Sequence, residues 1–309
     1  SPRDFGIAAN TRWTPNGITV AGGHESGNGL NQLSHPQGLY VDDDQTIVIA
    51  DHENDRIVEW KPGATSGHVI AGGNGRGNRN DQLNLPIDVI IDNETDSLLI
   101  CDHGNSRVMR WPRRGGTKGE TIISDIKCFD LTIDDNGFFY VCDFGKHEVR
   151  RWRVGESSGT LVAGGNGRGY RLDQLSVPRS VFVDRDQSVY VSDNNNHRVM
   201  KWVKDAKAGI VVADDQGLGN VLRQLSSFAG VLVDQLGTVY VADFRNHRIT
   251  RWPKGAAQGS LVVGGNSKGE QPNQLDGPAG ISFDRHGNLY VVDLYNNRVQ
   301  RFSIDRSSC

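Results

Sequence analysis

The most reactive chemistry on offer lies in a handful of imidazoles and carboxylates. His35, His52 and His103, with Glu53, Asp88 and Asp130, form the donor set of a divalent cation site. Three such ligands, with a fourth position left for water, make the arrangement that activates water on zinc. His35, His52, His103, Asp88 and Asp130 are therefore the candidate metal ligands, for zinc or calcium, although their spacing is not that of any local metal motif. A second set is cationic: Arg76, Arg79, Arg168, Arg171, Arg179, Arg223, Arg245 and Lys268. With Phe244 or Tyr295 as stacking platforms, these would suit single-stranded RNA. Acidic residues on the same stretches, among them Glu53, Asp81, Asp173, Asp215 and Asp276, cancel most of that field. No nucleophile elbow or catalytic triad is present. The Gly-rich stretches at 71–86 and 163–178 suggest a phosphate cradle, but that needs a helix N-terminus directly after the glycines. Here a Gln-Leu pair and a further strand follow, so they read as connectors.

The elements that must position these residues are strands in a repeated unit. Residues 180–202 show two apolar stretches of period two around an Asp-Arg-Asp-Gln turn, then a polar loop and a third strand ending on Trp202. The Asp closing the second strand recurs as Asp51, Asp102, Asp143, Asp193, Asp243 and Asp293, at spacings of 51, 41, 50, 50 and 50 residues. Trp60, Trp111, Trp152, Trp202, Trp252 and Phe302 mark the third strands. A period of about 40 to 50 residues built of strands is the mark of propeller blades. Fourth strands read at 18–23, 68–73, 160–165, 210–215 and 261–265. The first precedes any complete unit and the last unit lacks one, so the N-terminal strand is predicted to complete the C-terminal blade and close the ring. The fold class is thus all-β, a six-bladed β-propeller of four-stranded blades over 18–303. Residues 1–17 form an extension, with Phe5, Ile7 and Trp13 as its large apolar residues, and 304–309 form a tail.

Asn196-His197-Arg198 and Asn246-His247-Arg248, with degenerate versions after Asp51, Asp102 and Asp293, resemble the Asn-His-Leu signature of NHL repeats. The Pro-x-Gly starts at Pro36 and Pro278 and the Tyr-Val-x-Asp strand ends at Tyr190 and Tyr240 carry the same resemblance. In the third unit Lys146-His147-Glu148 departs from it. Six copies of the Asp, Asn and Arg imply a structural lattice, so function is expected where copies disagree. They disagree around one face of the ring, at His35, Gln37, His52, Glu53, His103, Phe144, Arg179, Asn194, Asn195, Phe244, Arg245 and Tyr295. The resemblance implies a rigid, non-catalytic, monomeric platform engaging a protein, peptide or glycan through this face. Two other expectations are a metal-dependent enzyme like the lyases and lactonases on related rings, and RNA binding as in NHL domains of tripartite-motif proteins. Interleaved charges on the opposite face read as a mutually screened surface without a ligand site.

Bulk properties agree with a soluble all-β chain. The 309 residues carry 34 Lys and Arg against 37 Asp and Glu, for a net charge of −3, so no overall field argues for nucleic acid or an anionic membrane. No apolar run reaches the length of a transmembrane helix, and no membrane insertion is expected. Ser1 opens no signal-peptide pattern, which implies a removed leader or an excised domain. Cys101 and Cys142 hold a repeat position filled elsewhere by small residues and read as core. A Cys128–Cys142 disulfide is conceivable across a hairpin. That bridge, the Asn93-Glu94-Thr95 sequon and secreted NHL arrays favour an extracellular or cell-surface setting over a cytoplasmic one.

Overall fold

The computed structural model describes residues 7–214 and 227–306, with the backbone alone at position 228. Arg223 and Asp215 of the cationic and acidic sets, and Phe5 of the extension, lie outside the described residues. Six four-stranded antiparallel sheets form the ring. Blade 1 holds β2 (Leu39–Val41), β3 (Ile47–Asp51), β4 (Arg56–Trp60) and β5 (His68–Gly72). Blade 2 holds β6 (Pro86–Asp92), β7 (Ser97–Asp102), β8 (Arg107–Pro112) and β9 (Glu120–Ser124). Blade 3 is β10 (Cys128–Ile133), β11 (Phe139–Asp143), β12 (Glu148–Trp152) and β13 (Thr160–Gly164). Blade 4 is β14 (Pro178–Val183), β15 (Val189–Asp193), β16 (Arg198–Trp202) and β17 (Ile210–Asp214). Blade 5 is β18 (Phe228–Val233), β19 (Val239–Asp243), β20 (Arg248–Trp252) and β21 (Ser260–Gly264). In blade 6, β22 (Pro278–Phe283), β23 (Leu289–Asp293) and β24 (Arg298–Phe302) are completed by β1 (Ile18–Gly22), which pairs antiparallel with β24. The ring is closed as the sequence predicts, and the outer edge of that blade is covered.

Middle strands are buried on both faces, and alternate residues enter different inter-blade cores. On β11, Tyr140 and Cys142 face blade 4, while Phe139 and Val141 face blade 2. That alternation corrects the Cys128–Cys142 pairing. Cys128 packs between blades 2 and 3, whereas Cys142 points out of the opposite face of its sheet. On β7 it is Cys101 that faces blade 3, and the disulfide is Cys101–Cys128, with Cys142 a buried free thiol. The bridge ties blades 2 and 3 where the connection from β9 to β10 is cut to three residues, 125–127.

The described residues of the extension and tail pack against the core. Ile7 and Trp13 are buried between blades 5 and 6, and Trp13 pairs with Ile304 in an isolated antiparallel bridge. No helix among the described residues is long and apolar enough to cross a membrane.

The repeated polar residues build the lattice expected of them. Buried Asp193 accepts the Ser176 N–H (2.6 Å), Asn196 Nδ2 (2.7 Å) and Arg198 Nε (2.8 Å). Asp51, Asp102 and Asp293 do the same with their own Asn and Arg. The free end of each Arg reaches carbonyls of the preceding Gly-rich loop; Arg56 holds those of Asn28, Gly29 and Gln32. Those loops are therefore connectors pinned to the ring. Blade 3 departs from the lattice, with Asp143 accepting the N–H groups of Gly145 and Lys146, and Arg150 pairing with Glu148.

Candidate functional site

The first strand of each blade lines the central channel, and one position in it sets how closely neighbouring blades approach. That position is Gly38, Asp88, Asp130, Ser180, Gly230 and Gly280 in blades 1 to 6. A Cβ at Gly38 would run into the Asp88 carboxylate, and at Gly230 and Gly280 into backbone of the next blade. Where the residue carries a side chain, it bridges to the next blade instead. Asp88 accepts the Leu131 N–H (2.9 Å), Asp130 the Val181 N–H (2.9 Å) and Ser180 Oγ the Val231 N–H (3.0 Å). The Asp88 side chain is buried, and Asp130 beside it is half-buried. Burial first, then the charge of Asp130, pushes Asp88 well up; burial also raises Asp130. A proton is therefore favoured on Asp88. The channel around it is a narrow cavity of about 140 Å³.

Of the candidate metal ligands, Asp88 and Asp130 serve as inter-blade acceptors inside the channel. His52 Nδ1 lies 3.1 Å from the Pro86 carbonyl and His103 Nδ1 lies 3.0 Å from that of Cys128, each on the first strand of the following blade. Bonded to a carbonyl, each Nδ1 carries the proton, which leaves Nε2 as the basic nitrogen. Burial, and to a lesser degree His103, lower the pKa of His52. His35 packs edge-on against Tyr295, at 5.9 Å between ring centres, with its Nδ1 buried and unpartnered. Among the described residues no three His, Cys, Asp or Glu side chains are placed to share a metal ion. In the repeat, Asp88 and Asp130 take the place of Gly and Ser of other blades, at a backbone-contact position.

The mouth of the channel has two chemically different halves. Over blades 2 and 3, His103 stacks on Phe144 (5.4 Å, 25°), and Phe129 stands edge-on to both rings (6.1 Å each). The Arg179 guanidinium lies 5.1 Å over the same Phe129 ring and joins this aromatic half to a polar pocket of about 720 Å³ over blades 4 and 5. Arg168, Arg179 and Arg245 line that pocket with Asn194, Asn195 and Ser227. Asn194 accepts from Ser227 Oγ (3.2 Å) and donates to Asn195 (3.3 Å), so the amides are oriented.

Charge separates these arginines from the rest of the cationic set. Arg76 is bonded to Asp55 and approaches Glu53 (3.6 Å), Arg79 pairs with Asp81, Arg171 with Asp173, and Lys268 approaches Asp276 (3.9 Å). Arg168 meets only a hydroxyl, that of Ser176 at 3.0 Å, and Arg179 and Arg245 have no carboxylate among the described residues. Burial, then the nearby Arg245 charge, pull the pKa of Arg179 down, and its Nε is buried without a partner. Of the residues read from sequence as the binding face, Arg179, Asn194, Asn195 and Arg245 converge here. His103 and Phe144 adjoin through Phe129. Gln37 lines the channel itself, Glu53 faces Arg76, and Phe244 of blade 5 packs edge-on to Tyr295 of blade 6 (5.8 Å). Sequence reasoning missed Phe129, Tyr170 and Ser227. Tyr170 is exposed in a Gly-rich loop under Arg198 (4.4 Å), and its one signal was an aromatic where the other loops have Asn or Glu.

The family model of the NHL repeat matches residues 33–60, 229–252 and 275–302, in blades 1, 5 and 6. Among curated proteins no sequence matches the chain. Similar solved structures include a protein of unknown function from Bacteroides thetaiotaomicron (TM-score 0.73, 15% identity, covering 94% of this chain and 76% of that one). An auxiliary nutrient binding protein from the same organism has TM-score 0.71 and 13% identity, covering 96% and 78%. A gluconolactonase from Xanthomonas campestris has TM-score 0.64 and 13% identity, covering 97% and 99%. At these identities the likeness is one of fold.

Proposed function

We propose that this NHL-repeat propeller is a non-catalytic binding platform, whose channel mouth over blades 4 and 5 takes an anionic group of a protein, peptide or glycan. The observation that carries this is Arg179, half-buried with its Nε unpartnered, beside two further guanidiniums that no described carboxylate neutralises. Leaving a partly desolvated charge unpaired is costly, and a planar guanidinium fork is suited to carboxylate, phosphate or sulfate oxygens. The closed ring supplies the stiffness, since Asp193 and Arg198 pin both the Gly-rich loop and the strand end that frame the pocket. A likeness in fold to nutrient-binding propellers agrees with a binding role, and the Cys101–Cys128 bridge and the exposed Asn93 sequon favour an oxidising, extracellular setting.

The test is an array of acidic and neutral glycans and peptides probed with the wild-type chain and with an Arg179→Gln, Arg245→Gln variant. Hits enriched in acidic members and lost in the variant are expected. An absence of hits, or hits that the variant retains, would sink the proposal.

A further inference from the structure

Trp13 shows how the outer slot between two blades is filled. Its ring stacks on Phe283 (5.9 Å, 21°), stands edge-on to Tyr240 (5.8 Å, 82°) and lies 5.9 Å beneath the Arg251 guanidinium. The indole N–H donates to the Gly287 carbonyl (2.9 Å) in the hairpin turn of blade 6. The segment leading to it is held through its own carbonyls, with Arg251 donating to Thr11 (2.7 Å) and Gln235 to Ile7 (2.8 Å).

The repeat builds the same slot one blade earlier. Tyr190 and its cross-strand neighbour Lys201 stand where Tyr240 and Arg251 stand, and Val233 and Gly237 stand where Phe283 and Gly287 stand. Tyr190 donates to Asp184 (3.2 Å) as Tyr240 donates to Asp234 (3.1 Å), and Lys201 lies 4.8 Å over the Tyr190 ring. Gly237 closes its turn with an N–H to the Asp234 carbonyl (3.0 Å), as Gly287 does to Asp284 (3.0 Å). No described side chain plays the part of Trp13. In its place is a groove of about 630 Å³, widened by valine in place of phenylalanine, with Val203, Ile210, Val211 and Leu236 exposed along it. Among the described residues nothing donates to the Gly237 carbonyl.

We propose that this groove between blades 4 and 5, on the hairpin-turn face, docks an extended segment of a partner protein bearing a tryptophan. The occupant's chemistry is that of the segment seated next door: a flat ring for Tyr190 and Val233, a face for the Lys201 cation, and a ring N–H for the Gly237 carbonyl. Among aromatic side chains, only tryptophan joins a large apolar ring to an obligate N–H donor. The site is separate from the arginine pocket, which lies on the opposite face.

A labelled peptide with the sequence of residues 7–14, titrated into the whole chain and followed by fluorescence anisotropy, tests this. Saturable one-to-one binding is expected. Trp13→Ala in the peptide, or Leu236→Glu or Val211→Arg in the chain, should each weaken it at least tenfold, in the manner of a central aromatic anchor. Leu236 and Val211 are exposed, so the folds of both variants, checked by thermal melting, should match wild type. The Arg179→Gln, Arg245→Gln variant should bind the peptide unchanged. Absence of saturable binding, or indifference to the groove substitutions, would overturn the proposal. Two other results would also overturn it: a tenfold gain in affinity on deleting residues 1–6, which would give the groove to the chain's own terminus, and self-association abolished by Leu236→Glu, which would give it to a second copy.

Discussion

Replacing both Cys101 and Cys128 with alanine removes the one covalent tie between blades 2 and 3 seen among the described residues. The bridged residues are 27 apart in sequence, and the chain-entropy relation for a loop of that size gives about 3.5 kcal/mol of stabilisation through the unfolded state. For a chain of 309 residues the unfolding entropy is about 0.65 kcal/mol per degree, so the loss corresponds to a fall in melting temperature of about 5 °C if the ring unfolds cooperatively. The short 125–127 connector should concentrate the effect locally, because the Gly-rich loop that ties other neighbouring blades together is reduced there to three residues. Calorimetry with and without reductant measures it, and hydrogen exchange localises it to β9 and β10. Reductant should lower the melting temperature of the wild type to that of the variant and leave the variant where it is. Peptide mapping that pairs Cys128 with Cys142, or a variant melting within 1 °C of wild type at the precision set by this same relation, would refute the reasoning.

Other substitutions probe the core, the channel and the lattice. Trp13→Ala empties the slot between blades 5 and 6 and should cost about 3 to 5 kcal/mol, read by chemical denaturation; a loss under about 1 kcal/mol would mean that the extension adds little to the ring. Asp88 binds a proton more tightly in the folded chain than in the unfolded one, so its contribution to stability is fullest in acid and is lost as pH rises above the ordinary carboxylate range. Asp88→Asn should flatten that decline and leave stability at neutral pH equal or higher, as melting curves from pH 4 to 8 would reveal; a steeper decline would contradict a proton held on Asp88. Arg198→Ala strands the buried Asp193 carboxylate and should cost about 3 to 5 kcal/mol by denaturant titration, whereas a cost under about 1 kcal/mol would show that Asn196 and Ser176 hold it alone.

Legible in the order of residues alone were the six units, the three-strand order within each, the closing role of Ile18–Gly22 and the Asp-Asn-Arg lattice. Those features are local or repeated. Alternation of period two, a turn and an aromatic end can be read within one unit, and a residue repeated in phase announces its own structural role. Tertiary structure decided what depends on which face of a sheet meets which neighbour. Cys142 and Cys128 lie close in the hairpin yet project from opposite faces, and Cys101 reaches Cys128 only because consecutive blades pack face to face. Asp88 and Asp130 were metal-ligand candidates by residue type alone, and only packing shows them as bridges between blades.

The arginines divide along the same line. Arg79 and Arg171 each have an acid two residues away, and their neutralisation was legible from spacing, whereas the partner of Arg76 is Asp55, across the loop. The isolation of Arg179 follows from where blades 4 and 5 place their first strands. The groove beside Tyr190 was hidden for the same reason. Its shape is set by two blades, and its meaning by Trp13 lying in the slot of the next pair.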